Sequence, residues 1–87
     1  MATISIPLLF QDVTGDARRA EVEGATLREV ISALDALYPG IKSRICDSGK
    51  LKPIVALTVD GRIATLGLAT PVGPNSQVSI LPSFGGG

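Results

Sequence analysis

Histidine and tryptophan are absent from this 87-residue sequence, and cysteine occurs once. With no histidine and only Cys46, one chain cannot assemble a zinc site of the usual His/Cys type. A Ser-His-Asp or Cys-His relay is excluded for the same reason, and the commonest general acid–base residue is missing. Cys46 cannot close an internal disulfide, whereas small secreted domains usually carry several. Aromatic residues are 3% of the chain, so a core must be built from Ile, Leu, Val and Ala. Eight basic residues balance eight acidic ones. No basic excess points to nucleic acid, and no acidic run forms a solvated tail. The apolar runs fall well short of the roughly 20 residues that span a bilayer. No charged region precedes an apolar run as in a signal peptide. These absences predict a soluble cytoplasmic protein with no membrane or nucleic-acid partner, no metal and no catalytic residue of its own. The classes left are a carrier, a binding module or a subunit that works with a partner.

What is present reads as one small α+β domain. Ile4, Ile6, Leu8 and Phe10 alternate over Thr3 to Phe10, which predicts a strand with one buried face. Pro7 cannot donate to a ladder and should face an edge or a bulge. Thr14-Gly15-Asp16 signals a turn, and Arg19 to Val22 a second strand. Leu27, Val30, Ile31, Leu34 and Leu37 form one stripe at helical spacing. Thr26 is a good N-cap, with Glu29 completing a capping box. Pro39 ends that helix at Tyr38. Ile41 and Ile45, four apart, suit a short helical turn, and Asp47 to Lys50 is a loop. Ile54 to Val59 predicts a strand with Val55, Leu57 and Val59 towards the helix. Asp60-Gly61 predicts a tight turn, and Arg62 to Leu68 a short strand or loop. Gln77 to Leu81 predicts the last strand, Val78 and Ile80 inward, with Pro82 stopping it. The first and last strands are apolar enough to lie centrally. This order predicts a ubiquitin-like roll, a mixed sheet of four to five strands packed on one main helix. Residues 1–82 form the domain, and 83–87 a flexible glycine tail.

The tail, Gly85-Gly86-Gly87, lacks side chains that would obstruct a narrow channel. Residues 83–87 would reach about 15–18 Å when extended. Such a thread can carry a terminal carboxylate into another protein's active site, although chain ends are also simply frayed. A carboxylate is a poor electrophile, so a partner must first convert it to an acyl-adenylate, which a sulfur nucleophile then attacks with loss of AMP.

Ser5-Ile6-Pro7, Thr14-Gly15, Thr26-Leu27 with Val30-Ile31, Tyr38 with Gly40-Ile41, Gly67 to Thr70, Val78 to Pro82 and the diglycine end carry a family resemblance over nearly the whole chain. The sequence resembles the ubiquitin-like sulfur carriers of the MoaD/ThiS type, and within them the CysO-type carriers of cysteine biosynthesis. The resemblance implies a β-grasp fold and a protein that is a co-substrate, not an enzyme. It implies adenylation and thiocarboxylation at Gly87, with Gly85, Gly86 and Gly87 inserted into a partner's active site. The implied partners are an E1-like adenylating sulfurtransferase, a PLP-dependent cysteine synthase or other sulfur acceptor, and a JAMM-type metalloprotease. ATP, PLP and zinc would belong to those partners. Other readings are the small subunit of molybdopterin synthase, a sulfur donor in secondary metabolism, a ubiquitin-like protein modifier, and a non-covalent interaction domain with an idle tail. The chain departs from the family in its third glycine and in Phe84, where a small residue is usual. Phe84, Leu66 and Leu68 are candidate docking residues, with core burial as the alternative for the two leucines. Cys46 reads as a buried free thiol, Glu21 and Glu23 as a solvated face, and Arg44, Lys50 and Lys52 as a mild basic cluster.

Overall fold

Alternating strand residues and one amphipathic helix determine the architecture of the computed structural model, which describes residues 1–52 and 55–82. β1 (Ala2–Ser5) and β2 (Arg19–Val22) form the N-terminal antiparallel pair. Between them lie a 3-10 turn, Leu8–Phe10, and a one-turn helix α1, Gln11–Thr14. α2 (Leu27–Leu37) and α3 (Ile41–Ile45) follow. β3 (Cys46–Asp47) and β4 (Lys50–Leu51) make a small separate ribbon. β5 (Val55–Val59), β6 (Arg62–Ile63) and β7 (Gln77–Pro82) complete the main sheet, in the order β2-β1-β7-β5-β6. β1 and β7 run parallel at its centre, and the other pairs are antiparallel. The expected mixed sheet with central first and last strands is therefore present.

The core lies between this sheet and α2. Ile4, Leu57, Val78 and Ile80 face Leu27, Val30, Ile31 and Leu34, all at most 2% exposed. Burying each such side chain is worth about 1.5–3 kcal/mol. Ile41 and Ile45, both buried, close one side. α2 begins where expected: the Thr26 hydroxyl accepts from the Glu29 amide at 3.4 Å, and the Glu29 carboxylate accepts from the Ala25 amide at 3.2 Å. The first contact satisfies an amide that the first turn leaves without a helical partner, and the second ties the residue before the cap to that turn. On the next helix, Asp35 accepts from the Gly40 and Lys42 amides at 3.1 and 3.0 Å, so one carboxylate on α2 caps α3.

Four expectations change. The first strand ends at Ser5, not Phe10. Ile6 still donates to the Arg18 carbonyl at 2.8 Å, but Pro7 has no amide to continue the ladder. The chain turns into the 3-10 segment, which buries Phe10 and leaves Leu8 60% exposed. Leu37, at the end of the helical stripe, is also exposed, unlike Leu27, Val30, Ile31 and Leu34 on the same helix. The Asp47–Lys50 loop is a hairpin instead: Ser48 and Gly49 both take positive φ, 53° and 78°. Asp60 and Gly61, at 52° and 84°, make a second turn of the same kind. Positive φ at both central residues gives the turn whose twist matches antiparallel strands. The last strand runs one residue past Leu81, with Pro82 in register with Val55. Ile54 of the expected central strand lies outside the described residues.

Candidate functional site

β7 is the structural element that leads to the glycine tail. It is paired on both sides, Ile4 with Val78 in β1 and Leu57 with Ile80 in β5. A doubly paired strand cannot shift register without exposing its buried set, because side chains alternate faces. β7 is therefore fixed in register, through to Pro82 opposite Val55. Phe84, Gly85, Gly86 and Gly87 lie outside the described residues.

The same alternation defines the outer face of the sheet around β7. Val55 and Leu57 are buried, so Ala56 and Thr58 face away from the core. Directly paired residues share a face. Leu81, opposite Ala56, and Ile63 and Ser79, both opposite Thr58, thus complete an uncharged outer patch. Leu81 is 45% and Ile63 72% exposed. Leu66, 66% exposed, joins Ile63 in lining a surface depression beside β6. Of the two loop leucines, only Leu66 is exposed. Leu68 is buried in the core, because the 3-10 turn Gly67–Ala69 points it inward. Ile63 and Leu81 are exposed apolar side chains that the sequence reading did not single out. Their signal was available, since Leu81 follows inward Ile80 and Ile63 follows the Asp60-Gly61 turn.

A hydrogen-bond network anchors the start of β7. The Asp60 amide donates to the Gln77 carbonyl at 2.7 Å, and the Gln77 amide returns a bond to the Asp60 carboxylate at 2.8 Å. The buried Ser76 hydroxyl donates to the same carboxylate at 2.9 Å and accepts from the Gly73 amide at 2.9 Å. The Gln77 amide, then the Ser76 hydroxyl, hold the Asp60 carboxyl below its ordinary value.

Cys46 is buried, and burial pushes its thiol up, against the opposing pull of Lys42, Arg28 and Lys52. The thiolate is the nucleophilic form, so this cysteine is poorly suited to handling sulfur near neutral pH. Arg44 does not join Lys50 and Lys52 in a basic cluster. It pairs with Asp12, donates to the Leu9 carbonyl at 3.4 Å and lies 5.4 Å above the Phe10 ring. Glu21 and Glu23 are exposed, as expected of a solvated face. Among the described residues, no cluster of His, Cys, Asp or Glu is placed to hold a metal ion, and no helix is long and apolar enough to cross a membrane.

Comparison with known proteins agrees with this geometry. The ThiS family model matches residues 8–87. Sulfur carrier protein CysO of Mycobacterium tuberculosis is 38% identical, over 98% of this chain and 97% of its own. Small archaeal modifier protein 3 of Haloferax volcanii is 33% identical, over 75% of this chain and 73% of its own. The structure is similar to that of the Amycolatopsis orientalis BexX/CysO complex, with a TM-score of 0.92, 30% identity and full coverage of both chains. The two-sided pairing of β7, the core laid against one helix and the match across residues 8–87 make this chain a β-grasp member of the ThiS family.

Proposed function

We propose that this protein is a cytoplasmic sulfur carrier whose reacting group is the carboxylate of Gly87. The reading rests above all on near full-length similarity to a sulfur carrier. The central position of β7 supports it, because a rigid domain then aims the tail. An E1-like enzyme joins the Gly87 carboxylate to AMP from ATP, releasing pyrophosphate. Sulfide attacks the acyl carbon, the bond from that carbon to the phosphate oxygen breaks, AMP leaves with the electron pair, and the thiocarboxylate remains on Gly87. Glycines 85–87 give that enzyme a thread without side chains to close around.

In this chain's own part of the cycle, the domain docks and the tail reaches. We assign docking of the activating enzyme to the exposed apolar side chains of Leu81, Ile63 and Leu66, together with Phe84 of the tail. Their apolar exposure fits the core of an interface. The thiocarboxylate sulfur then passes to a PLP-dependent cysteine synthase, and a JAMM-type metalloprotease releases cysteine from the carrier. ATP, PLP and zinc reside in those enzymes. A second reading, protein modification through an isopeptide bond, is favoured by the archaeal modifier relative. Both readings begin with the same adenylate.

Deletion of Gly86 and Gly87 tests the assignment. Thiocarboxylation in the presence of activating enzyme, ATP and sulfide should be abolished, with thermal stability unchanged. Undiminished function of the shortened chain in its host would exclude carrier and modifier alike.

A further inference from the structure

The zero formal charge conceals a segregated surface. On the helical side, a cleft of about 450 Å³ is lined by Arg28, Lys42, Cys46 and Gly49. A neighbouring cleft of about 350 Å³ is lined by Arg28, Gly49, Lys50 and Leu66. Arg28, Gly49 and Leu68 line both, so the two are parts of one groove, between α2, α3, the β3–β4 ribbon and the 3-10 turn at Gly67–Ala69. Arg28, Lys42 and Lys50 are all exposed.

The balance of partners makes this groove cationic. Among the described residues, the side chains of Arg28 and Lys50 have no hydrogen-bonded or ionic partner, and that of Lys42 has only the Ser32 hydroxyl at 3.4 Å. Among the described residues, Asp35 is the one carboxylate in the lining, and it is committed to the backbone amides of Gly40 and Lys42. Asp47 stands opposite Lys50 in the ribbon without forming an ion pair. Exposed Leu66 supplies an apolar contact at one end.

We propose that this groove is a docking site for an acidic, extended segment of a partner protein, whose carboxylates meet Arg28, Lys42 and Lys50 and whose apolar residue packs on Leu66. The cations are spread along an open channel, an arrangement that suits spaced charges on a chain better than one small anion held by converging donors. Guanidinium and carboxylate match in bidentate geometry, and opposite potentials across an interface speed encounter and fix register. The site is independent of the chemistry at Gly87.

The probe is a synthetic peptide, Asp-Glu-Leu-Glu-Asp with blocked ends, titrated into the full chain at low salt and followed by amide NMR shifts. Saturable shifts are expected at Arg28, Lys42, Gly49 and Leu66. They should weaken at least tenfold in 1 M salt, where the Debye length falls to about 3 Å. R28E/K42E should reduce the affinity at least tenfold, and R28Q by less, with unchanged circular dichroism. Shifts that do not saturate, that centre on another face, or that an Asn-Gln-Leu-Gln-Asn control reproduces would overturn the proposal. Equal saturating shifts from inorganic phosphate alone would also overturn it, because a small anion would then suffice.

Discussion

The outer face of the sheet and the groove beside α2 are opposite kinds of surface on one scaffold. The sheet patch is uncharged, built from Leu81, Ile63 and small residues, and continuous with the strand that leads to the tail. The groove carries Arg28, Lys42 and Lys50, with the Asp35 carboxylate in its lining tied to local amides. Desolvating an apolar patch gives affinity largely independent of salt, whereas a row of exposed cations gives salt-dependent steering. Two such surfaces can engage different partners through largely different contacts. Leu66 borders both surfaces and is the residue through which they would interfere.

A lesion in the shared scaffold should weaken both surfaces together. Gly24 lies against the first turn of α2, and a Cβ placed on it would come within 2.7 Å of the Val30 amide nitrogen, a backbone atom with little room to move. G24A should therefore cost on the order of 1–3 kcal/mol in chemical denaturation, the usual range for overpacking. An unchanged midpoint would show that the helix start is more yielding than its contacts indicate.

A surface lesion should weaken only one. I63D with L81D places charge in the outer patch, and binding of the activating enzyme should fall tenfold or more, about 1.4 kcal/mol. Binding of the acidic peptide should persist in calorimetry. If both bindings fall while the fold is retained, the two surfaces are one.

The anchoring of β7 offers a smaller, pH-dependent test. Because the folded Asp60 carboxyl is held below its ordinary value of 3.8, it stabilises the fold above that pH. The contribution is lost as pH falls from about 4 towards the lower folded value. D60N should flatten that part of the stability-versus-pH curve and lower stability near neutrality. Curves of equal shape would mean that the network at Gln77 and Ser76 does not depend on the charge. The smallest effect is expected at Cys46, whose buried thiol is disfavoured as a nucleophile. C46A should leave the rate of thiocarboxylation within about twofold of the original, while a loss of several-fold would give the thiol a direct role.

Much of the scaffold was legible because local and tertiary preferences agree. Leu27, Val30, Ile31 and Leu34 show helical spacing behind a Thr26–Glu29 cap, and the helix has the expected bounds. Asp60-Gly61 is a turn dipeptide in a turn. Misreading came where a pattern outlasted the element it described. Alternation continues past Pro7 to Leu8 and Phe10, yet the backbone has already turned. The helical stripe reaches Leu37, which is exposed in the last turn of α2. The groove was hidden for another reason: Arg28, Lys42 and Lys50 are distant in sequence and meet only through packing of α2, α3 and the ribbon. Proximity along the chain grouped Lys50 and Lys52 with Arg44, but Arg44 turns to Asp12 and the Phe10 ring.

Intact mass spectrometry, after incubation of the full chain with its activating enzyme, ATP and sulfide, tests the central claim most directly. A mass gain equal to exchanging one oxygen for sulfur, located on Gly87 by fragmentation, is the predicted result. An unchanged mass, or a whole sulfur added at Cys46, would contradict it.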